Sequence, residues 1–183
     1  MSQFDNLDEL YQAGVNQQLE REATQSPVAP TGQYNVQPES YELQEGDNPK
    51  RAWDFGKKYA RFMVPILSTN DGKSRVIGRV RFNASWNVYR NPETGRLDMM
   101  SSNWGQLTKA LRAQQAITET ATIKDVLDAA TKYPVRISVT ENYRTDEGWR
   151  TVAADAETSR KEYREAGYEA TNFLRRIMPY REE

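Results

Sequence analysis

Basic residues recur at every second position, with one exception, between residues 73 and 81. The four cations are Lys73, Arg75, Arg79 and Arg81, and Ile77 stands between the two pairs. Side chains alternate across a β-strand, so a strand here places all four cations on one face and apolar residues on the other. Four like charges repel one another unless anions lie nearby. A phosphate backbone would supply those anions, as would acidic side chains of the same chain. The third interpretation is a solvent-exposed face whose arginines pair with neighbours such as Glu141.

Aromatic residues are interleaved with further cations on both sides of this segment. Bases of a nucleic acid stack on such rings for roughly 1–3 kcal/mol each, while the cations follow the phosphates. Trp86 shares the apolar parity of its strand and Trp104 lies on the inner face of a helix, so both are predicted core residues instead. The residues predicted to bind nucleic acid are Trp53, Lys57, Lys58, Arg61, Lys73, Arg75, Arg79, Arg81, Tyr89, Arg90, Tyr143, Trp149 and Arg150.

The composition argues against most kinds of catalytic site. The chain has no cysteine and no histidine, which excludes a disulfide scaffold, a zinc site and catalysis that depends on either residue. Carboxylate pairs such as Asp125 and Asp128 fall on a polar helix face, where solvated charges are expected rather than an acid–base pair. We therefore predict a protein that is not an enzyme and has no cofactor, although a carboxylate site for Mg²⁺ stays formally open. No apolar run approaches the roughly 20 residues that cross a bilayer, and a soluble intracellular protein is expected.

Charge is segregated along the chain. Residues 1–49 hold one basic and nine acidic residues, a net charge of −8, whereas residues 50–150 hold 18 basic and 10 acidic residues, a net charge of +8. Residues 151–183 are nearly neutral, with six basic and seven acidic residues. This pattern implies a partner for the basic part, an internal role for the acidic part, or both.

The first 30 residues read as an appendage. Apolar residues spaced three and four apart over residues 4–22 predict an amphipathic helix, and acidic residues near its start favour the helix dipole. Residues 22–32 contain Pro27 and Pro30 without apolar periodicity, which predicts a flexible linker. We therefore expect residues 1–30 to be an acidic N-terminal helix and a flexible linker that tethers the helix to the domain.

Residues 31–155 alternate between strand and helix patterns. Strands are predicted over residues 32–43, 58–68, 73–86, 135–140 and 149–152, with helices around residues 104–111 and over 122–132. Pro65 suggests an edge or a bulge, and Gly78 within a strand suggests a bulge or a strong bend. Three strands, a helical insertion and two strands is the order of a five-stranded oligonucleotide-binding (OB) barrel. The predicted class is mainly β with helical additions (α+β), and residues 156–183 form a C-terminal helix. Another small mixed α+β sheet remains open.

Several short motifs occur in an order that resembles phage-encoded single-stranded DNA-binding proteins with an OB fold. They are the Pro-x-Gly-x-Tyr-x-Val segment from Pro30 to Val36, the hairpin Asn70-Asp71-Gly72, Ser85-Trp86, Trp104-Gly105-Gln106-Leu107 and Gly148-Trp149-Arg150. The resemblance covers residues 30–152. It implies sequence-tolerant coating of single-stranded DNA during phage replication or recombination, with partner proteins from those processes, in the host cytoplasm.

The acidic segment lies at the opposite end from the acidic C-terminal tail of bacterial-type relatives. We hypothesise that the N-terminal arm takes over competition for the binding groove or the docking of partners. The alternative is a phage structural or assembly protein, in which the N-terminal helix docks on a neighbouring subunit and the basic face meets an acidic protein surface. Self-association stays open in both cases.

Overall fold

The computed structural model describes residues 11–13, 15, 27–50, 56–70, 72–99 and 102–182, without the side chains of residues 69, 70, 89, 98 and 99. The fold is mainly β with helical additions, as predicted. Residues 11–13 and 15 are helical, and the rest of the helix predicted over 4–22 lies outside the described residues. The longer elements are β1 (Gly32–Val36), β2 (Ser40–Glu45), β3 (Lys58–Asn70), β4 (Lys73–Ala84), β5 (Val88–Arg90), β6 (Leu97–Met99), α1 (Ser102–Ala113), α2 (Ile123–Ala130), β7 (Val135–Thr145), β8 (Gly148–Val152), α3 (Glu157–Glu165) and β9 (Glu169–Pro179).

Two antiparallel sheets make up most of the structure. In the first, β7 pairs with β9 along one edge and with β1 and then β8 along the other. In the second, β3 lies between β2 and β4, while β5 and β6 form a separate two-stranded ribbon. The strand predicted over residues 32–43 is thus divided, because β1 joins one sheet and β2 the other. The pairings of the described residues leave the two sheets separate, without a closed barrel.

One hydrophobic core lies against the inner faces of both sheets. Phe62 and Phe82 stack across β3 and β4 with ring centroids 5.2 Å apart, and Ile137 of β7 contributes from the other sheet. Helix α1 covers this core, and Trp104 of α1 contacts Trp86 edge-on at 5.4 Å. Trp104 is buried and Trp86 packs against the core, so the prediction that both are core residues is confirmed.

Helix α2 begins where the sequence places it. Thr122 is the N-cap: its side chain accepts a hydrogen bond from the Asp125 backbone, while the Asp125 carboxylate accepts one from the Thr122 backbone N–H. The hydrogen bond that the Asp125 carboxylate accepts from the Thr122 backbone, followed by its interaction with the Thr122 side chain, lowers the pKa of Asp125. Asp125 therefore caps a helix. Within the described ranges, no helix has the length and hydrophobicity that crossing a membrane requires.

The C-terminal helix predicted over residues 156–183 is wrong beyond residue 165. Helix α3 ends at Glu165, Gly167 follows with a φ of 75°, and the chain then forms β9 along the whole of β7. The apolar spacing of Phe173, Leu174 and Ile177 suits a helix, but the central strand β7 has a second edge whose backbone groups need partners. Tertiary pairing therefore overrides the local pattern.

The linker predicted over residues 22–32 is fixed to the core at its C-terminal end. Ala29 is fully buried, and its backbone N–H donates to Asn172 Oδ1 at 2.9 Å. Asn172 Nδ2 donates in return to the Ala29 carbonyl at 2.8 Å. Thr31 donates its hydroxyl to the carbonyl of Val152. We call residues 27–31 the anchored segment, because buried hydrogen bonds hold it against β9 and β8.

Candidate nucleic-acid interface

A bulge interrupts the basic strand. Ile66 of β3 lies opposite Gly78 of β4, whereas the next residue, Leu67, lies opposite Val76, so Ile77 is an extra residue on β4. This confirms a bulge of the kind that Pro65 and Gly78 suggested. Because side chains alternate along a strand, one extra residue exchanges the two faces beyond it.

The bulge divides the four cations of β4 into two pairs, so the prediction that all share one face is wrong. Arg81 lies opposite Met63 and Arg79 opposite Pro65, on the face that points away from the core. Arg75 lies opposite Ser68, which shares its face with buried Ile66. Lys73, two residues before Arg75 in the strand, lies on the same face as Arg75. Only Arg79 and Arg81 therefore remain together on the outer face of this sheet.

The outer β3–β4 face, which we define by Arg61, Met63, Arg79 and Arg81, carries two guanidinium groups, those of Arg79 and Arg81, that pair with no described carboxylate. Arg61 Nε donates to Asn83 Oδ1 at 3.1 Å, which ties its guanidinium to the neighbouring strand β4. The side chains of Arg79 and Arg81 are exposed and make no hydrogen bond or ion pair with any other described residue. Two unpaired guanidinium groups on one face are the kind of chemistry that pairs with phosphate or carboxylate groups.

Strand β2 brings acidic residues next to part of the basic strand β3. Glu42 lies opposite Arg61, and Glu45 lies opposite Lys58. Part of the acidic segment, residues 1–49, is therefore built into the sheet. Along β2 and β3, acidic and basic residues lie side by side, so the charges segregated in the sequence are mixed in the fold. Lys57 and Lys58 are exposed at the start of β3, beside these carboxylates rather than beside Arg79.

Arg75 faces a different surface, an open cleft of about 670 Å³. The anchored segment and helix α3 form its other walls, with Arg160 and Arg164 among the lining residues. Arg160 is already paired with buried Glu141, whose Oε2 lies 2.9 Å from Arg160 Nη2. Glu141 is thus an internal partner of α3 and not the neighbour of exposed arginines that the sequence suggested.

Tyr143 cannot be a stacking platform, because its side chain is fully buried. Its hydroxyl donates to Glu141 Oε1 at 2.7 Å and accepts a hydrogen bond from Arg164 Nε at 3.1 Å. Burial, followed by the hydrogen bond to Glu141, raises the pKa of the Tyr143 phenol. Tyr143 shares its parity along β7 with Val135, Ile137 and Val139, a signal in the sequence that could have placed it inside.

Two further predicted cations are engaged locally. Arg90 Nη1 donates to the Gly95 carbonyl at 2.8 Å, which closes the turn between β5 and β6. Arg150 pairs with Glu147 at 3.0 Å across the hairpin turn, where both side chains are exposed. Trp53 lies outside the described residues, and so does the side chain of Tyr89.

Trp149 lies on the outer face of the other sheet, with neighbours that the sequence analysis did not assign to the site. It contacts Phe173 of β9 edge-on, with ring centroids 5.0 Å apart. Arg175 lies over the Phe173 ring, its guanidinium carbon 5.7 Å from the centroid. Phe173 and Arg175 were missed because they fell within the predicted C-terminal helix. Gly167, a turn residue directly before this segment, could have indicated the end of the helix.

The described residues contain no group of three or more carboxylates that could hold a metal ion. Comparisons with models of protein families, with curated proteins and with solved structures find nothing that matches this chain.

Proposed function

We propose that this protein binds single-stranded DNA without strong sequence preference, through the outer β3–β4 face. The observation that carries the proposal is the pair Arg79 and Arg81, which are exposed on one face and lack a carboxylate partner among the described residues. Arg61 adds a third guanidinium beside them. Guanidinium groups on a groove or face track a phosphate backbone regardless of the bases attached to it.

A single strand fits this surface better than a duplex does. Reading a duplex normally requires a helix or a two-stranded ribbon that enters the major groove. Helix α1 is instead buried against the core through Trp104, Leu107 and Leu111. The exposed arginines lie on a sheet, which offers a flat surface along which an extended strand can lie.

The strand order supports an OB-type barrel as the scaffold. In this proposal β1 and β2 together form a bent first strand, β3 and β4 follow, α1 and α2 are the insertion, and β7 is the fourth strand. The fifth strand is β9 rather than β8, because Asn172 of β9 lies directly against Gly78 of β4. The resemblance to phage single-stranded DNA-binding proteins extends the proposal to replication or recombination in the host cytoplasm, with proteins of those processes as partners.

Titration of a dye-labelled oligothymidine tests the proposal. Three arginine–phosphate contacts, each contributing about 0.7 to the slope of log K against log salt, predict that fourfold more salt weakens binding roughly 20-fold. Binding that is undetectable, or that does not depend on salt, would refute it. The alternative, an assembly protein, predicts no DNA binding and a change of oligomeric state when residues 1–22 are deleted.

A further inference from the structure

The outer face of the β7 sheet presents an ordered pair of aromatic rings. Trp149 of β8 lies opposite Arg144, and Phe173 of β9 lies opposite Thr140, so both rings project from the same side of β7. Their planes meet at 64°, and this edge-on contact fixes the orientation of the indole. Trp149 nevertheless stays 42 % exposed. A large aromatic surface is therefore held rigidly in solvent.

Arginines surround this pair. A second bulge lies in β9. Arg175 is its extra residue, because Leu174 lies opposite Val139 of β7 and Arg176 lies opposite the adjacent residue, Ser138. Arg175 Nε donates to Thr140 Oγ1 at 3.0 Å, which keeps its guanidinium over the Phe173 ring. We define the Trp149 face by the residues Arg144, Trp149, Phe173, Arg175 and Arg176.

Little of this positive charge is neutralised. The side chains of Arg144 and Arg176 are exposed, and neither side chain makes a hydrogen bond or ion pair with another described residue. Glu169 lies opposite Arg144 in the register and is the acidic residue of β9 on this face. The Trp149 face thus combines an exposed indole and a half-buried phenyl ring with exposed guanidinium groups.

We propose that the Trp149 face is a second binding surface for single-stranded nucleic acid, on which bases stack against Trp149 and Phe173 while Arg144 and Arg176 contact phosphates. This inference rests on the proposed function and deepens it. An acidic protein surface would satisfy the arginines equally well but would gain nothing from an exposed indole. Nucleobases use both, since every base has a π-face and every nucleotide a phosphate.

The two surfaces lie on different sheets. The inner faces of both sheets contribute to one core, so the outer β3–β4 face and the Trp149 face each lie on the side of their sheet that is turned away from that core. A strand that contacts both must pass around an edge of the sheets. Short oligonucleotides then occupy one face at a time, and longer ones gain affinity by occupying both.

Binding of short and long oligothymidines to the full-length Trp149→Leu and Phe173→Leu variants tests this. Each substitution should weaken binding of long oligothymidines roughly 10-fold while leaving the salt slope unchanged, because stacking releases no counterions. Short oligothymidines should bind nearly as well as before, because they can occupy the outer β3–β4 face instead. The matched control is Tyr133→Leu, which removes another exposed ring, 46 % accessible, at a distant site after α2. It should bind like the unmodified protein.

The arginines provide an independent test that does not disturb the aromatic packing. Arg144→Gln with Arg176→Gln should lower the salt slope by about 1.4 for long oligothymidines. If the unmodified protein binds but Trp149→Leu, Tyr133→Leu and the double arginine variant all match it, the second surface is excluded and the first one stands. If the unmodified protein does not bind at all, both proposals fail.

Discussion

The side chain of Asn172 bonds the backbone of Ala29 with both of its polar atoms, accepting at 2.9 Å and donating at 2.8 Å. Both residues are buried. Gly78 of β4 completes the contact, because a Cβ there would lie 2.7 Å from the Ala29 nitrogen and from Asn172 Oδ1. The anchored segment, β4 and β9 therefore meet at a point with no room for one more carbon atom.

Gly78→Ala should destabilise the protein by about 1–3 kcal/mol, because the new methyl group meets backbone and an anchored amide that cannot move away. The control is Gly32→Ala, where the nearest atom to a new Cβ is the Tyr34 hydroxyl oxygen, 3.5 Å away. Urea unfolding measures both. Equal midpoints for the two variants would show that the contact at Gly78 is not tight.

Removing one partner of the buried Glu141–Arg160 pair should be far more damaging than removing an exposed ion pair. Arg160→Gln leaves a fully buried carboxylate without its main partner, and losses of about 3–5 kcal/mol are typical. Lys161→Gln breaks the exposed pair with Glu165, at 3.8 Å, and should change the unfolding free energy by less than about 1 kcal/mol. Similar losses for both variants would contradict the buried role of Glu141.

Alkaline pH should destabilise the protein partly through Tyr143. Its pKa in the folded protein is raised above the ordinary tyrosine value of 10.0, so the folded state retains the proton while the unfolded state releases it. The stabilisation is complete below the unfolded-state pKa and is lost as the pH rises through the folded-state value. Tyr143→Phe should flatten the decline of the urea midpoint above about pH 10, whereas Tyr133→Phe should not. An unchanged decline in Tyr143→Phe would contradict this.

The alternation of polar and apolar residues predicted the strands well wherever a strand is regular. It identified the inner residues Val80 and Phe82 of β4, and it identified Val135 to Val139 of β7. It failed at Ile77, because an extra residue in a bulge leaves the sequence pattern intact while it exchanges the faces beyond it. The placement of Lys73 and Arg75 could not be predicted for that reason.

Long-range pairing is the other information that local patterns lack. Residues 169–179 form β9 only because β7 offers an edge 25 or more residues away in the chain, and Ala29 is buried only because Asn172 reaches it. These two facts decide where the domain begins and where Phe173 and Arg175 lie. Taken alone, the sequence of residues 169–179 favoured a helix, and that of residues 22–32 favoured a flexible linker.

Deletion of the acidic arm should stop at residue 26, because the anchored segment belongs to the fold. Residues 1–26 hold five acidic residues and one basic residue. If this arm competes with DNA for the outer β3–β4 face, its removal should tighten binding of oligothymidine, most at low salt where charge interactions are least screened. Unchanged affinity at low salt would remove that role from the arm.

The most direct test of the central claim compares the salt dependence of oligothymidine binding for two variants that lose the same charge. Arg79→Gln with Arg81→Gln should bind more weakly, with a slope shallower by about 1.4, because two phosphate contacts are lost. Lys109→Gln with Lys124→Gln removes two exposed cations from α1 and α2 and should leave the slope unchanged. Identical slopes and affinities for the two double variants would contradict binding at the outer β3–β4 face.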